Sequence, residues 1–274
     1  MKKIIIPVDF STTAANAAAF AGELAVFYGA DLFLYHTYEI PVGVGEASYP
    51  LFVVSELQKA AEHELEIMAE NLSSKLPGKP VIHTKAALTS LQEGLTNLCN
   101  HLKPDLVVMG LSGKDALTKL LVGSNTIRAI HYLKYPVLVV PPKADFIPIR
   151  KIGFACDYKA VEENTPIEAL KKIVKDFNAE LYILNVDFNN RNFSADEVHE
   201  SFKLHDLLSD LKPEYHSIES EDTTEGINQF AERARLDWIV VVPKKHALVQ
   251  KLFTRSHTRH LLHHTHVPVL CLHQ

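Results

Sequence analysis

The chain of 274 residues is 47% hydrophobic and 22% charged, and its 28 basic and 33 acidic residues leave a formal net charge of -5. At about 100 to 200 residues per domain this length fits two modest domains, each able to bury its own core, and the composition excludes lasting disorder. An acidic balance offers no footprint for a phosphate backbone, so nucleic acid is not an expected partner. Cys99, Cys156 and Cys271 are odd in number and lack CxxC spacing. They suggest core packing rather than a disulfide framework or a zinc site. No apolar run nears the ~20 residues that cross a bilayer, and the start, Met1-Lys2-Lys3 followed by Pro7 and Asp9, is too short for a signal-peptide core. The expected setting is cytoplasmic, without membrane contact.

In chain order, short apolar runs predict strands at about 3 to 8, 31 to 37, 81 to 86, 105 to 110 and 136 to 140. Amphipathic stretches predict helices near 12 to 29, 53 to 75, 89 to 102 and 124 to 133. Ser11 has the spacing of an N-cap and Gly29 that of a helix stop. The pattern then starts again, with strands near 151 to 156, 180 to 186, 214 to 218, 237 to 242 and 267 to 271. Near Asn164-Thr165-Pro166 a cap with Pro in the first turn is expected, and Asn178 stands in for Gly29.

The second half repeats the first. Lys3-Ile4-Ile5-Ile6-Pro7-Val8-Asp9 is echoed 148 residues later by Lys151-Ile152-Gly153-Phe154-Ala155-Cys156-Asp157. Asp105 to Met109 recurs as Asp237 to Val241, and Tyr135 to Val140 as Val267 to Leu272, both at an offset of 132. The smaller offset means that the second copy is shorter in its middle. The boundary falls in the proline-bearing stretch Pro141 to Pro148, giving domains 1–143 and 149–274. Strands apolar on both faces and alternating with helices point to an α/β fold: two doubly wound parallel five-stranded sheets, Rossmann-like, in tandem.

In such a sheet ligands bind beyond the carboxyl ends of the strands, at the switch point in strand order. After the fourth strand the sequence runs Gly110-Leu111-Ser112-Gly113, then nine residues, then Gly123-Ser124-Asn125-Thr126 opening a helix. Glycines let main-chain amides approach a ligand, and a helix start holds unpaired N–H groups suited to an anion. Asp9 reads equally as a turn or cap residue, because it recurs as Asp157.

The spacing G-x2-G-x9-G-[ST] after an apolar strand resembles the nucleotide motif of the universal stress protein family. The segments Ile4 to Ser11, Leu32 to Thr37 and Tyr135 to Val140 resemble that family's strand signatures, and the likeness covers nearly all of both copies. The resemblance implies an adenine nucleotide alpha hydrolase-like fold and ATP, alone or with Mg2+, bound by the first domain. The implied nucleotide-binding set is Pro7, Asp9, Thr37, Met109, Gly110, Ser112, Gly113, Gly123, Ser124 and Asn125. Asp9 and Thr37 would border the adenosine, Met109 the base or ribose, and the glycines with Ser112, Ser124 and Asn125 the phosphates. Family members usually carry Val where Thr37 stands. The resemblance also implies pairing of the two copies through their last strands, an internal pseudo-dimer, with a homodimer left open.

The second copy reads Pro243, Lys244, Lys245, His246, nine residues, then Ser256 and His257 where the first has its motif. Pro243 lacks an N–H and His246 puts a side chain where main chain should meet phosphate, so this half is expected to hold no triphosphate.

Other signals are weaker. Gly43 and Gly45 suggest a dinucleotide fingerprint, but its third position is Ser48 and it follows the wrong strand. Glu62, Glu64, Glu66 and Glu70 read as the solvated face of a helix. The last 29 residues hold seven of fifteen histidines, and His257, His260 and His264 could share a helical face toward Zn2+, although no carboxylate or Cys pattern joins them. Walker A, GxSxG and HExxH sequences are absent. The expected function is nucleotide binding in stress response or signalling toward an unidentified protein partner, with at most slow ATP hydrolysis. The alternatives are a nucleotide-free scaffold and a metal-binding protein.

Overall fold

The computed structural model describes residues 1–40, 51–111, 124–187, 194–243, 258, 260–262 and 265–273. The described residues cluster into two compact units that divide between Phe146 and Ile147.

The first unit runs β1 (Lys3–Pro7), α1 (Thr12–Tyr28), β2 (Asp31–Tyr38), α2 (Leu51–Lys75), β3 (Ile82–Leu88), α3 (Leu91–Leu102), β4 (Leu106–Gly110), α4 (Ser124–Tyr132) and β5 (Val137–Val140). Its strands are parallel in the order β3-β2-β1-β4-β5. Ile4, Ile5, Ile6, Leu106, Val107 and Val108 are fully buried, because β1 and β4 are central strands covered on both faces. The order reverses between β1 and β4, which opens a crevice beyond their carboxyl ends.

Local chemistry sets the helix limits. Ser11 Oγ accepts the Ala14 N–H at 3.2 Å, which caps α1. At the other end Gly29 takes the left-handed conformation, φ 62°, and returns its N–H to Val26 O. Buried Ala14, Ala17, Ala18, Ala21 and Ala25 keep α1 thin, so it can lie close to the sheet. Along α2, Glu62, Glu64, Glu66 and Glu70 are all exposed, as a solvated face requires.

The second unit repeats this path with β6 (Lys151–Ala155), α5 (Val161–Asn164), α6 (Ile167–Phe177), β7 (Glu180–Asp187), α7 (Ala195–Leu208), β8 (Glu214–Glu219), α8 (Thr223–Ala234), β9 (Trp238–Val241) and β10 (Val269–Cys271). The parallel order is β10-β9-β6-β7-β8. One carboxylate oxygen sets the central register in each unit. Asp105 Oδ2 accepts the N–H groups of Lys2 at 2.7 Å and Lys3 at 3.1 Å, and Asp237 Oδ2 accepts those of Arg150 at 2.7 Å and Lys151 at 2.9 Å. The repeated aspartate is therefore a clamp on the start of the central strand.

The units differ where their first helix begins. Instead of one helix with Pro in its first turn, the second unit has the short α5, an extended Thr165, and Pro166 at the cap position of α6. Ala160 enters α5 in the left-handed region, φ 45°, and Glu200 of α7 accepts the Val161 N–H at 2.6 Å. Asn178 ends α6 with φ 50°, the role Gly29 plays in the first unit.

The three cysteines are free and buried, and burial pushes the Cys99 thiol up to about 12. Among the described residues no helix is long and apolar enough to cross a membrane.

Asp210, after α7, receives Lys171 at 2.8 Å and Lys175 at 2.7 Å. These two ammonium groups hold its carboxyl down at about 2, below the ordinary 3.8. A depressed carboxylate stabilises the fold above its unfolded pKa and loses that effect as pH falls through the folded one. Asp210→Asn is therefore expected to lower the urea midpoint at neutral pH, and the difference from wild type should vanish between about pH 4 and pH 2.

Candidate functional site

At the switch point of the first sheet lies a cleft of about 150 Å³. That is smaller than the ~300 to 1,000 Å³ of a full small-molecule site, so the described walls accommodate part of a ligand. Its lining comes from five places in the chain: the β1–α1 loop, the end of β2, the end of β4 and the starts of α3 and α4.

The β1–α1 loop is a compact turn. Asp9 Oδ1 accepts the N–H of Ser11 at 3.1 Å and its hydroxyl, and Ser11 Oγ lies 3.0 Å from Thr13 Oγ1. Phe10 between them sits at φ 59°, and its counterpart Tyr158 sits at φ 49°, so both domains keep a left-handed aromatic residue after the aspartate. Asp9 is thus a turn residue through one oxygen while facing the cleft. Its counterpart Asp157 is only 6% exposed.

His36 ends the polar part of β2. Its Nδ1 lies 2.7 Å from Val8 O, and because a carbonyl only accepts, Nδ1 carries the proton. In the neutral ring Nε2 is then an acceptor. The ring packs on Phe10 at 4.5 Å between centroids. Thr37 turns its methyl toward α3, where a Cβ on Gly94 would come within 3.2 Å of it and 2.2 Å of the Tyr35 hydroxyl oxygen. Gly94 is therefore what lets α3 approach β2.

Met109 and Gly110 close β4 in the cleft wall. A Cβ on Gly110 would meet Thr13 O at 2.6 Å, so this glycine makes room for the main chain of α1. This packing reason stands beside the ligand approach expected from the spacing. Thr126, buried in the first turn of α4, donates its hydroxyl to Gly110 O at 3.0 Å and fastens the helix start to the strand end. Asn125 lines the cleft and Ser124 is exposed.

Of the expected set, the structure brings Pro7, Asp9, Thr37, Met109, Gly110 and Asn125 to one cleft. Ser112, Gly113 and Gly123 lie outside the described residues, as do the glycines at 43 and 45. His36, Ser11, Thr13, Leu91 and Thr126 also line it and were not in that set. The recurrence of Thr126 as the buried Thr258, at the same offset of 132 as the neighbouring strand, was the available signal.

Strand register also corrects the equivalence drawn for the second domain. Val107 pairs with Val137 as Ile239 pairs with Val269, an offset of 132 on both strands. Val242, not Pro243, thus stands at the place of Gly110. At the same offset in sequence Arg255, not Ser256, aligns with Gly123, and Arg255 and Gly123 both lie outside the described residues. On β7 the register puts Asn185 at His36 and Val186 at Thr37. Asn185 donates its amide to Cys156 O at 2.9 Å, the carbonyl equivalent to Val8 O. Lys244, Lys245, His246, Ser256, His257 and His264 lie outside the described residues. Among the described residues no group of three His, Cys, Asp or Glu could hold a metal ion.

Fold and cleft together define a tandem doubly wound α/β protein with a ligand crevice at the switch point of its first sheet. The profile of the universal stress protein family matches residues 1–141 and again 148–273, and the chain belongs to that family as a tandem member. A universal stress protein of Methanocaldococcus jannaschii is 32% identical over 142 residues, 51% of this chain and 81% of that protein. One of Thermus aquaticus is 31% identical over 145 residues, 51% of this chain and 98% of that protein. The crystal structure of a universal stress protein from Archaeoglobus fulgidus, 17% identical, has the same fold with a TM-score of 0.72 over 99% of this chain and 96% of that one.

Because the neighbour of Gly110 is main chain, it cannot yield as a flexible side chain would. Gly110→Ala is expected to cost ~1 to 3 kcal/mol of stability, the range for overpacked sites, read from urea denaturation at neutral pH.

Proposed function

We propose that the first domain binds an adenine nucleotide, ATP with or without Mg2+, and that the chain acts as a nucleotide-dependent signalling protein in the cytoplasm. The observation that carries this is the cleft itself. Apolar Val8, Leu91 and Met109 share it with polar Asp9, Ser11, Thr13, Asn125 and Thr126, a combination that suits a flat base joined to a polar ribose and phosphate tail. The Thr126 bond to Gly110 supports it further, since it holds the N–H groups at the start of α4 beside the strand end where a phosphate would sit. Asp9 Oδ2 and His36 Nε2 are acceptors available to ribose hydroxyls or an exocyclic amine. Gly113, Gly123 and Ser124 complete the phosphate cradle in this reading.

Binding rather than turnover is the proposed role. Asp9 is held in the loop by Ser11, and among the described residues the lining offers no second carboxylate with which it could work as an acid–base pair. In the second domain Val242 and Arg255 replace two glycines of the motif, which supports a single nucleotide site per chain.

Isothermal titration calorimetry of the full chain is expected to show one ATP per chain, and Gly123→Val to abolish that heat while leaving the thermal midpoint unchanged. Phosphate release should stay far below one turnover per second. Absence of heat with ATP, ADP, AMP and cAMP would favour a nucleotide-free scaffold, and undiminished affinity in Gly123→Val would remove the cradle from the account.

A further inference from the structure

The second domain carries a groove that nucleotide binding leaves unused. It measures about 420 Å³, within the ~300 to 1,000 Å³ of small-molecule sites, and lies where β7 and β8 end beneath α7. One face of α7 borders it, since Val198, Ser201, Phe202 and His205 follow the i, i+3, i+4, i+7 spacing. Such a face normally packs on the sheet. Here Phe202 is 65% exposed and Val198 41%, so these side chains edge the groove instead of filling it. Tyr215 and Ser217, alternate residues of β8, contribute from the sheet, and buried Tyr158 and Asn185 contribute from the ends of β6 and β7.

Two observations define the ligand. Among the described residues the groove's lining contains no Lys, Arg, Asp or Glu. The neighbouring charges serve each other, because Lys203 reaches Glu200 at 2.8 Å and Glu200 also holds the Val161 N–H. Tyr158 and Tyr215 add phenols, which carry no charge at neutral pH. A charged ligand would give up its water without a counter-ion. The second observation is Asn185, 6% exposed, which spends an amide N–H on Cys156 O and has no protein donor to its own Oδ1 among the described residues. Its Oδ1 is open to the groove and can accept an O–H or N–H from an occupant.

We propose that this groove binds an uncharged aromatic compound bearing one O–H or N–H donor, with its rings against Tyr158, Phe202 and Tyr215 and its donor on Asn185 Oδ1. The inference concerns the other domain and stands whether or not ATP binds the first. Aromatic walls favour such a ligand through edge and offset ring contacts, as His205 and Tyr215 already show with centroids 5.7 Å apart.

The test is a fluorescence titration of the full chain with neutral N-phenyl-1-naphthylamine, whose N–H is the donor required. Saturable binding at one site per chain is expected. Ser201→Trp, which fills the groove, should weaken it roughly tenfold or more. Asn185→Leu removes Oδ1 and leaves no acceptor in its place, and should weaken it about threefold to tenfold. The anionic 1-anilinonaphthalene-8-sulfonate should bind roughly tenfold more weakly than the neutral dye. Circular dichroism checks that each variant folds, and if Ser201→Trp does not, Asn185→Leu decides. No saturable signal, equal affinity in the folded variants, or equal affinity of the anionic dye overturns the proposal.

Discussion

The fold depends on a carboxylate more than a hundred residues from its partners. Asp105 grips the N–H groups of Lys2 and Lys3 with one oxygen, and Lys3 Nζ reaches Leu102 O at 3.1 Å from the same corner. Hydrogen bonds to a charged acceptor are stronger than neutral ones, and these two stand at the strand end remote from the ligand. Fixing β1 against β4 there determines that Asp9, six residues after Lys3, arrives beside Met109 and Gly110. Asp237 does the same for β6 and β9, with Lys151 Nζ reaching Ala234 O at 3.4 Å. The scaffold was duplicated together with its registration device, and the strand ends diverged.

The divergence has a chemical logic. Histidine at position 36 and asparagine at position 185 place a donor on the same carbonyl, so both loops are held alike. What differs is what each leaves for a ligand: a ring nitrogen in the first domain, an amide oxygen in the second. The first cleft mixes polar and apolar walls, whereas the second groove is built from aromatic rings under a helix. A shared framework thus presents two surfaces of different chemistry.

Much of this was legible in the sequence for physical reasons. Central parallel strands are buried on both faces, so Ile4 to Ile6 and Val107 to Val108 read as unbroken apolar runs, and the caps at Ser11, Gly29 and Asn178 follow from side-chain and left-handed geometry. The break between α5 and α6 was not legible, because it rests on Glu200 of a distant helix taking the Val161 N–H. Gly110 was legible as a glycine that mattered, but its fit against the main chain of α1 was not, because no motif encodes that contact. The one-residue slip in aligning the second motif arose because glycine spacing was followed in a half that has no glycines there, where strand register is the firmer guide. Thr126 and His36 were missed because their roles are hydrogen bonds to main-chain carbonyls, which no motif encodes.

The exchange of Gly110 for Val242 has an evolutionary consequence. In the first domain the absent Cβ is the space occupied by Thr13 O, so helix and glycine fit as one object. At the copied position stands the branched Val242, 6% exposed, and the second domain enters its helix by the two-piece path through Thr165 and Pro166. A lone Val242→Gly exchange would remove buried volume without rebuilding the one-piece helix entry, so the lobes are separated by coupled changes rather than by one residue.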